Sequence, residues 1–255
     1  MASKPLAGRG IVVTRPREQA SGLAARIEAA GGRALVYPAI EIQDLPDARA
    51  ALAAIARLES FDLAVFVSPT AVRKAFGLMG KRSWPPSVRA AGVGAATRAA
   101  LQAAGVASAF APEERADSEA LLELPELGDV KGRRIVVFRG EGGREALASG
   151  LQARGASVEY AACYRRARPD TDLAPLAAAW RRGEVHAVTV SSSEGLRNFA
   201  ELLGPARGLL ETLPLLVPHE RVAEEARRAG VTRVRVAGPT NDEMLEGLVA
   251  YFAAS

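Results

Sequence analysis

Short runs of apolar and β-branched residues alternate along this chain with longer stretches rich in Ala, Leu and Arg. A short apolar run predicts a buried strand, and a longer stretch with apolar positions three or four residues apart predicts a helix. The predicted strands lie near residues 10–14, 34–42, 62–67, 88–93 and 106–110, and again near 134–138, 157–166, 185–190, 214–217 and 233–236. The predicted helices of the first half lie near residues 18–30, 47–58, 69–79, 95–104 and 117–124. This regular alternation predicts an α/β fold with parallel sheets that are covered on both faces.

The two halves of the chain resemble each other at a constant offset. Ile11–Arg15 resembles Ile135–Arg139, which begins 124 residues later. At the same offset, Asp62–Val72 falls on His186–Leu196. A register that persists through most of each half indicates an internal duplication of one α/β unit with five strands in each copy.

The second predicted strand of each copy is longer than an ordinary strand, which spans about 5–6 residues. These strands are Ala34–Asp44 and Ser157–Pro169, and the second contains Tyr164 beside the only cysteine of the chain, Cys163. Such lengths suit crossings between two domains. We therefore interpret the pair as equivalent connectors that lie side by side.

Three local signals mark the starts of helices. Ser68-Pro69 has a capping residue before a proline at the first helical position. Ser191–Glu194 and Thr240–Glu243 both have the spacing of a capping box, in which a hydroxyl and an acidic side chain satisfy two backbone N–H groups. We expect helices to begin at these three places.

Composition narrows the class of protein but leaves its ligand open. The 255 residues are 49% hydrophobic and 5% aromatic, which fits a globular protein and argues against a base-stacking surface for single-stranded nucleic acid. The net charge of +4 reflects either an arginine-rich composition or an anionic ligand. One cysteine cannot form an internal disulfide, and no Cys/His cluster has metal-ligand spacing. Since there is no signal-peptide pattern and no long apolar run, we expect a cytoplasmic protein.

The candidate ligand sites are the turns that follow the strands. In open parallel sheets, ligands bind beyond the carboxyl ends of the strands, where helix N-termini offer free backbone N–H groups to anions. The residues selected in this way are Arg15, Ser68, Gly94, Thr97, Arg139, Gly140, Arg144, Ser191, Ser192, Pro218 and His219. Each also has a structural interpretation, because the serines can cap helices and the arginines can be solvated or paired with carboxylates. The glycine-rich turn after the sixth strand lacks both nucleotide-binding signatures, which disfavours a nucleotide-dependent enzyme.

Several short segments, taken in order, resemble one enzyme family. They are Val13–Pro16, Phe66–Ser68, Val93–Thr97, Arg139–Arg144, Tyr164-Arg165, Ser191–Leu196 and Pro239-Thr240. The chain is similar over nearly its whole length to the uroporphyrinogen-III synthases, tetrapyrrole-pathway enzymes that close the macrocycle with ring D inverted. No single segment is specific to this family, but the full set of segments in this order is. The chain departs from the family at Pro218–Arg221, where members often have Gly-x-x-Thr.

The resemblance implies two flavodoxin-like domains, each with a parallel five-stranded sheet and helices on both faces, joined by a two-stranded β-ladder. One domain would comprise residues 1–37 plus 168–255, and the other residues 45–156. The connectors would be residues 38–44 and 157–167. The two over-long strands fall on these connectors.

The resemblance also implies a cofactor-independent lyase of haem biosynthesis that cyclises hydroxymethylbilane, a linear tetrapyrrole polycarboxylate, with loss of water. Tyr164 matches the family's candidate for helping the ring A hydroxyl to leave, and a phenol is protonated at neutral pH and can donate that proton. The other selected residues would bind the substrate in a cleft. We expect a monomer whose only partner is this small molecule, with no metal, membrane or nucleic acid. The alternative is a non-catalytic two-domain binding protein for an anionic small molecule.

Overall fold

The computed structural model describes residues 4–143 and 145–254, which form two parallel sheets surrounded by helices. Within those ranges the strands are β1 (Gly10–Val13), β2 (Arg33–Val36), β3 (Glu41–Gln43), β4 (Leu63–Phe66), β5 (Arg89–Gly92), β6 (Arg134–Gly140), β7 (Ser157–Ala167), β8 (Ala187–Thr189), β9 (Leu215–Val217) and β10 (Val234–Val236). The α-helices of the same ranges are α1 (Arg17–Ala29), α2 (Arg49–Ala56), α3 (Pro69–Met79), α4 (Ala95–Ala103), α5 (Ser118–Glu123), α6 (Ala146–Ala153), α7 (Ala174–Arg181), α8 (Ser193–Leu203), α9 (Gly208–Thr212), α10 (Glu220–Arg228) and α11 (Asn241–Ala253). None of these helices is both long and apolar enough to cross a membrane.

The chain forms two compact units. The first contains the residues up to Ile42 and those from Ala167 onward, and the second is Gln43–Arg166. β7 pairs with β6 from Ser157 to Tyr164 and belongs to the sheet of the second unit.

The first unit has a sheet with the strand order β10-β9-β8-β1-β2, and its neighbouring strands are parallel. Successive residues of β1 point to opposite faces. Ile11 and Val13 pack with apolar residues of α1 and α11, whereas Val12 packs with those of α7, α8 and α10. Helices therefore cover both faces, as the uninterrupted apolar sequence of β1 predicts.

The second unit has a sheet with the strand order β3-β7-β6-β4-β5. β7, β6, β4 and β5 are mutually parallel. On one face Val65 and Val137 pack with buried leucines of α5 and α6. On the other face, Phe66 stacks on Phe138 with ring centroids 4.9 Å apart, and Trp84 packs against Phe66 at 5.9 Å.

Both sheets have the same strand order when the strands are numbered by their place in the repeat. The first copy supplies β1, β2, β4, β5 and the segment around Phe110, and the second supplies β6 to β10. In the first unit, β2-β1-β8-β9-β10 gives the order 2-1-3-4-5. In the second unit, β7-β6-β4-β5 gives 2-1-3-4, and the parallel bridge from Ala91 to Phe110 supplies the fifth position. The two copies have thus exchanged their first two strands, so that neither half of the chain completes a sheet alone.

Two strand predictions were wrong in detail. The predicted strand 34–42 is broken, since β2 ends at Val36 and β3 begins at Glu41, although the backbone N–H groups of Tyr37 and Ala39 still donate to the carbonyls of Val13 and Thr14. The predicted strand 106–110 contributes only the bridge at Phe110. This segment is short of β-branched residues, and it turns away after one pairing.

The predicted helix starts are confirmed in two cases of three. Ser68 caps α3 with Pro69 as its first residue, and Thr240 forms a full capping box at α11. The capping box predicted at Ser191 was wrong, because the N-cap of α8 is Ser192, whose hydroxyl accepts the backbone N–H of Gly195 at 3.0 Å.

Candidate functional site

A cavity of about 340 Å³ lies in the second unit at the carboxyl ends of four parallel strands. Val67 follows β4, Val93 follows β5, Arg139 and Gly140 end β6, and Tyr164 lies near the end of β7; all five line the cavity. This edge of a parallel sheet is where ligands bind, because loops and helix N-termini surround the strand ends there. The volume is at the lower end of the range for small-molecule pockets, so the cavity fits only part of a large ligand.

The side chain of Tyr164 is held between Gly140 and Ser68, and it is only 4% exposed. Its ring lies so close to Gly140 that a Cβ atom on that residue would be 2.8 Å from Cε2 of the tyrosine. The phenol oxygen is 3.3 Å from Ser68 Oγ, which is longer than the ~2.8 Å of a strong hydroxyl pair. The ring is therefore fixed by packing, while its hydroxyl is held weakly enough to interact with a ligand.

The position of Tyr164 depends on an irregularity in the β6–β7 ladder. Arg139 pairs with Ala162 but Gly140 pairs with Tyr164, so Cys163 is an extra residue in β7. A bulge of this kind redirects the side chains that follow it. The Cys163 thiol donates towards the carbonyl of Arg139 at 3.4 Å, and burial raises its pKa to about 12. The thiol is therefore protonated and enclosed, and does not act as a nucleophile.

Arg139 is not solvated, and no carboxylate pairs with it among the described residues. Its side chain is buried, with the guanidinium carbon 4.5 Å from the centroid of the Tyr160 ring. Its Nε donates to the carbonyl of Gly140 at 3.3 Å, and its Nη2 donates to the carbonyl of Gly142. Neither structural interpretation given above for this arginine applies, because it is a buried cation that lines the cavity.

The remaining predicted residues of the second unit surround this centre. Ser68 accepts a backbone N–H from the first turn of α3 at 3.1 Å, so it caps the helix as well as contacting Tyr164. Gly94 is the N-cap of α4, and a Cβ there would be 2.5 Å from that of Ala116. Thr97 is buried against Gly92. Gly94 and Thr97 thus shape the adjoining turn and are not part of the cavity lining, while the predicted Arg144 lies outside the described residues.

Arg15 follows β1 of the first unit and occupies the position that corresponds to Arg139 in the repeat. Its Nη1 donates to Asn241 Oδ1 at 2.7 Å, and its Nη2 donates to the carbonyl of Pro239 at 2.9 Å. Partial burial lowers the pKa of Arg15 from its usual value. Two of its donors are thus engaged by the turn before α11, which fixes the direction of the side chain.

The other predicted residues of the first unit lie at the carboxyl ends of β8 and β9. Ser192 caps α8, and Ser191 is the half-buried residue before it. Pro218 is buried after β9, and His219 is the N-cap of α10, where its exposed side chain makes no capping hydrogen bond. The imidazole of His219 is therefore available to solvent, and the helix N–H groups beside it are not capped by a side chain.

Sequence reasoning missed Tyr160, Arg166 and Asp117, which also line the cavity. Tyr160 and Arg166 lie in the same strand as Tyr164, so their closeness to it along that strand was a usable signal. Asp117 caps α5 by accepting a backbone N–H at 2.7 Å, and nothing local in the sequence connects it with the cavity. Within the described residues, no group of three or more His, Cys, Asp or Glu side chains could hold a metal ion.

The cavity combines a phenol with cationic side chains. Tyr164 can donate a proton or a hydrogen bond, and Ser68 can interact with the phenol oxygen when it does so. The guanidinium of Arg139 brings positive charge to the same space without a carboxylate partner among the described residues. Such a site suits an anionic ligand that accepts a hydrogen bond or a proton.

The sequence and the fold are similar to those of known proteins over nearly the whole chain. The family model HEM4, described as uroporphyrinogen-III synthase HemD, matches residues 21–246. The uroporphyrinogen-III synthase of Escherichia coli (strain K12) is 36% identical over 246 residues, which covers 93% of this chain and 99% of that protein. The uroporphyrinogen-III synthase of Salmonella typhimurium is 35% identical with the same coverage.

The fold likeness extends to a solved structure. A mutant uroporphyrinogen III synthase from the extremely thermophilic bacterium Thermus thermophilus matches with a TM-score of 0.64 at 20% identity, covering 97% of this chain and 100% of that one. At this identity the structural likeness shows a shared fold and no more. The family model, by contrast, matches most of the sequence itself. The chain therefore belongs to the uroporphyrinogen-III synthase family.

Proposed function

We propose that this protein is a uroporphyrinogen-III synthase, a cyclising hydro-lyase that converts hydroxymethylbilane into uroporphyrinogen III with inversion of ring D. The observation that carries the proposal is the 36% identity to the Escherichia coli enzyme across 99% of that protein's length. Activity follows the site more closely than the fold. The position of Tyr164 in a cationic cavity therefore supports the same conclusion.

The reaction is a dehydration followed by a rearrangement, and its atoms balance without an oxidant or reductant. The C–O bond of the ring A hydroxymethyl group breaks, and the oxygen leaves as water with one added proton. The resulting azafulvenium cation bonds to the substituted carbon of ring D to give a spiro intermediate. The bond from that carbon to the methylene bridge of ring C then breaks, and the freed methylene bonds to the other α-carbon of ring D. The proton that is lost when the closed ring regains its aromatic pyrroles replaces the one used. No cofactor is required by this balance, so the protein is proposed to work without one.

Tyr164 is the proposed proton donor to the departing hydroxyl. Its ring is immobilised by Gly140, which limits the orientations of the O–H group. Ser68 Oγ, 3.3 Å from the phenol oxygen, can donate to that oxygen as negative charge develops on it. General acid catalysis of this kind typically contributes about 10²- to 10⁴-fold to a rate.

The remaining contribution to catalysis is proposed to be control of the substrate's conformation, since an open-chain bilane can also close without ring inversion. Holding the reacting ends together raises the rate of one closure over the other. The proposed substrate-binding residues are Arg15, Ser68, Gly94, Thr97, Arg139, Gly140, Arg144, Ser191, Ser192, Pro218 and His219. The cavity around Tyr164 is large enough for only part of a tetrapyrrole, so residues outside its lining are proposed to contribute to binding.

The finer features of the family are part of the same proposal. Each unit is proposed to be a flavodoxin-like domain, which the 2-1-3-4-5 strand order supports. The ladder between residues 38–44 and 157–167 is proposed as the connection. The protein is proposed to be a cytoplasmic monomer whose partner is the small-molecule substrate.

The proposal is tested by incubating the purified protein with hydroxymethylbilane, oxidising the products and separating the porphyrin isomers by chromatography. The expected product is the type III isomer, in an amount that rises with protein concentration. Replacement of Tyr164 by Phe is expected to lower turnover with an unchanged thermal transition. Type I product alone at every protein concentration would contradict the function, and binding of the bilane without conversion would favour a binding protein instead.

A further inference from the structure

Arg139 is a buried cation whose stabilisation comes from uncharged groups. Its side chain is 8% exposed, and no carboxylate pairs with it in the described part of the chain. Burying an unpaired guanidinium is unfavourable unless other groups replace its hydration. Here the replacement is the face of the Tyr160 ring, 4.5 Å from the guanidinium carbon, and the carbonyls of Gly140 and Gly142.

The glycine-rich loop after β6 is built around this guanidinium. Gly142 and Gly143 have φ angles of +69° and +104°, a backbone conformation that favours glycine. A Cβ atom on Gly143 would lie 2.6 Å from Arg139 Nη2, so the arginine fills the space that a side chain would need. The arginine and the loop therefore fix each other's conformation.

The same loop holds Tyr164. Gly140 lies against the tyrosine ring, where its missing side chain makes room for Cε2 and Cζ. The backbone N–H of Glu141 donates to the carbonyl of Tyr164 at 2.7 Å. A continuous set of contacts thus runs from the Tyr160 ring through Arg139 and the loop to Tyr164.

We propose that Tyr160 and Arg139 are positioning residues, which act through the Gly140–Gly143 loop to hold Tyr164 in the orientation needed for proton donation. This inference rests on the proposed function, because it assigns Tyr164 the role of proton donor. The contribution of Tyr160 is the face of its ring. Its hydroxyl is buried and has no hydrogen-bond partner in the described structure, so it contributes nothing to the stack.

The first test is a double-mutant cycle on turnover. Arg139→Lys keeps the charge but loses the planar group that stacks and bonds two carbonyls, and Tyr160→Leu removes the ring. Each is expected to lower kcat about tenfold or more with little change in KM, because a small displacement of a reacting group has effects of that size. In a Tyr164→Phe background each is expected to lower kcat less than about twofold, since residues that act through one group are not additive.

Two matched variants control for general damage. Tyr160→Phe keeps the ring and is expected to retain turnover. Arg89→Lys alters another stacked arginine of the same unit, which lies 5.0 Å over the Phe110 ring away from the cavity, and is expected to leave kcat unchanged. Equal losses in the wild-type and Tyr164→Phe backgrounds would overturn the inference. A raised KM with unchanged kcat would do so as well, because it would show that Arg139 only binds substrate charge.

A second measurement does not depend on catalysis. In protein labelled with ¹³C at the tyrosine ζ carbons, the Tyr164 resonance is assigned by its loss in Tyr164→Phe. It is expected to shift in Arg139→Lys and in Tyr160→Leu but not in Arg89→Lys. An unmoved Tyr164 resonance in these two variants would overturn the positioning role even if the wild-type protein converts the bilane. A shifted resonance, with no type III product from the wild-type protein, would leave the positioning role intact and refute the proposed synthase function.

Discussion

Replacing Gly140 by Ala is expected to lower the turnover of the protein by displacing Tyr164. The backbone of Gly140 does not have a positive φ, so alanine is compatible with the chain itself. The added Cβ would lie 2.8 Å from Cε2 and 2.9 Å from Cζ of the tyrosine. Carbon atoms make favourable contacts at about 3.5–4.0 Å, so the ring must move by roughly 0.7–1 Å.

The magnitude follows from that displacement. A misplacement of about 1 Å at a reacting group can lower a rate about 10²-fold, so we expect a 10- to 100-fold fall in kcat for type III product. Overpacking of this kind typically lowers the free energy of unfolding by about 1–3 kcal/mol, which urea denaturation can measure. The matched control is Gly77→Ala, since Gly77 lies on the exposed side of α3, where an added Cβ would have no atom within 4 Å. That change is expected to leave turnover unchanged and to stabilise the helix by about 0.5–1 kcal/mol.

Two results would refute the reasoning about Gly140. Wild-type turnover in Gly140→Ala, combined with a loss in Tyr164→Phe, would show that the ring can shift without consequence. A loss of the same factor in the Tyr164→Phe background would show that Gly140 acts through its backbone and not through the phenol. The kinetic difference between the two backgrounds therefore decides the question, and the unfolding measurement excludes a general loss of structure.

Three further predictions concern the pKa values and a helix cap. Burial raises the pKa of the native Cys163 thiol to about 12, so the thiol is expected to resist thiol reagents at pH 8. Because the unfolded thiol ionises near 9.0 and the native one does not, the free energy of unfolding should fall above that pH. Cys163→Ala should remove this contribution to the fall. Hydrogen bonds from Arg182 and Arg33 lower the pKa of Glu184 to about 2, so its carboxyl resonance should titrate near pH 2, and a midpoint at the ordinary glutamate value would contradict the pairing. Thr240→Ala should lower the free energy of unfolding by about 1 kcal/mol and Thr240→Ser should not, and equal stabilities in urea would argue against the capping box.

Local features of the fold were predictable because they depend on neighbouring residues. Ser68 before Pro69 specifies a helix start wherever it occurs, and the apolar run at Ile11–Val13 specifies a buried strand. The pairing of β1 with β8 joins Ile11 to Ala187, and no local pattern encodes a contact across that distance. The family resemblance was needed to predict that the first strands pack with the second half of the chain.

The site was predictable where it follows from strand ends and not where it depends on the register between strands. Gly140 was selected because it lies in the turn after a predicted strand, whereas Tyr164 was selected through the family resemblance. The extra residue at Cys163, which determines where the phenol lies, arises from the shifted pairing of β7 with β6. The stacking of Arg139 on Tyr160 depends on the same pairing. Sequence reasoning therefore identified Arg139, Gly140 and Tyr164, but neither Tyr160 nor the contacts that hold them.

The duplication retains the supporting residues of the site in both units. Ser68 caps α3 in one unit, and Ser192, at the corresponding position, caps α8 in the other. Arg15 follows β1, and Arg139 lies near the end of β6, which is the equivalent strand of the other copy. Arg139 is buried on an aromatic ring, whereas Arg15 is held by Asn241 and a backbone carbonyl. A capped helix N-terminus and a fixed cation suit anions, so this shared part of the scaffold can bind carboxylates in either unit.

Among the described residues, the proposed proton donor Tyr164 has no counterpart at the corresponding position of the first unit. The position that corresponds to Tyr164 is Ile40, which is 6% exposed, and the position that corresponds to Gly140 is Pro16, the N-cap of α1. An isoleucine cannot donate a proton, and a proline cannot provide the room that Gly140 gives to the phenol. In the proposed reaction a single hydroxyl leaves in each turnover, whereas the substrate has many carboxylates. The divergence of the two copies at these positions is therefore consistent with the proposed role of Tyr164 as the single proton donor.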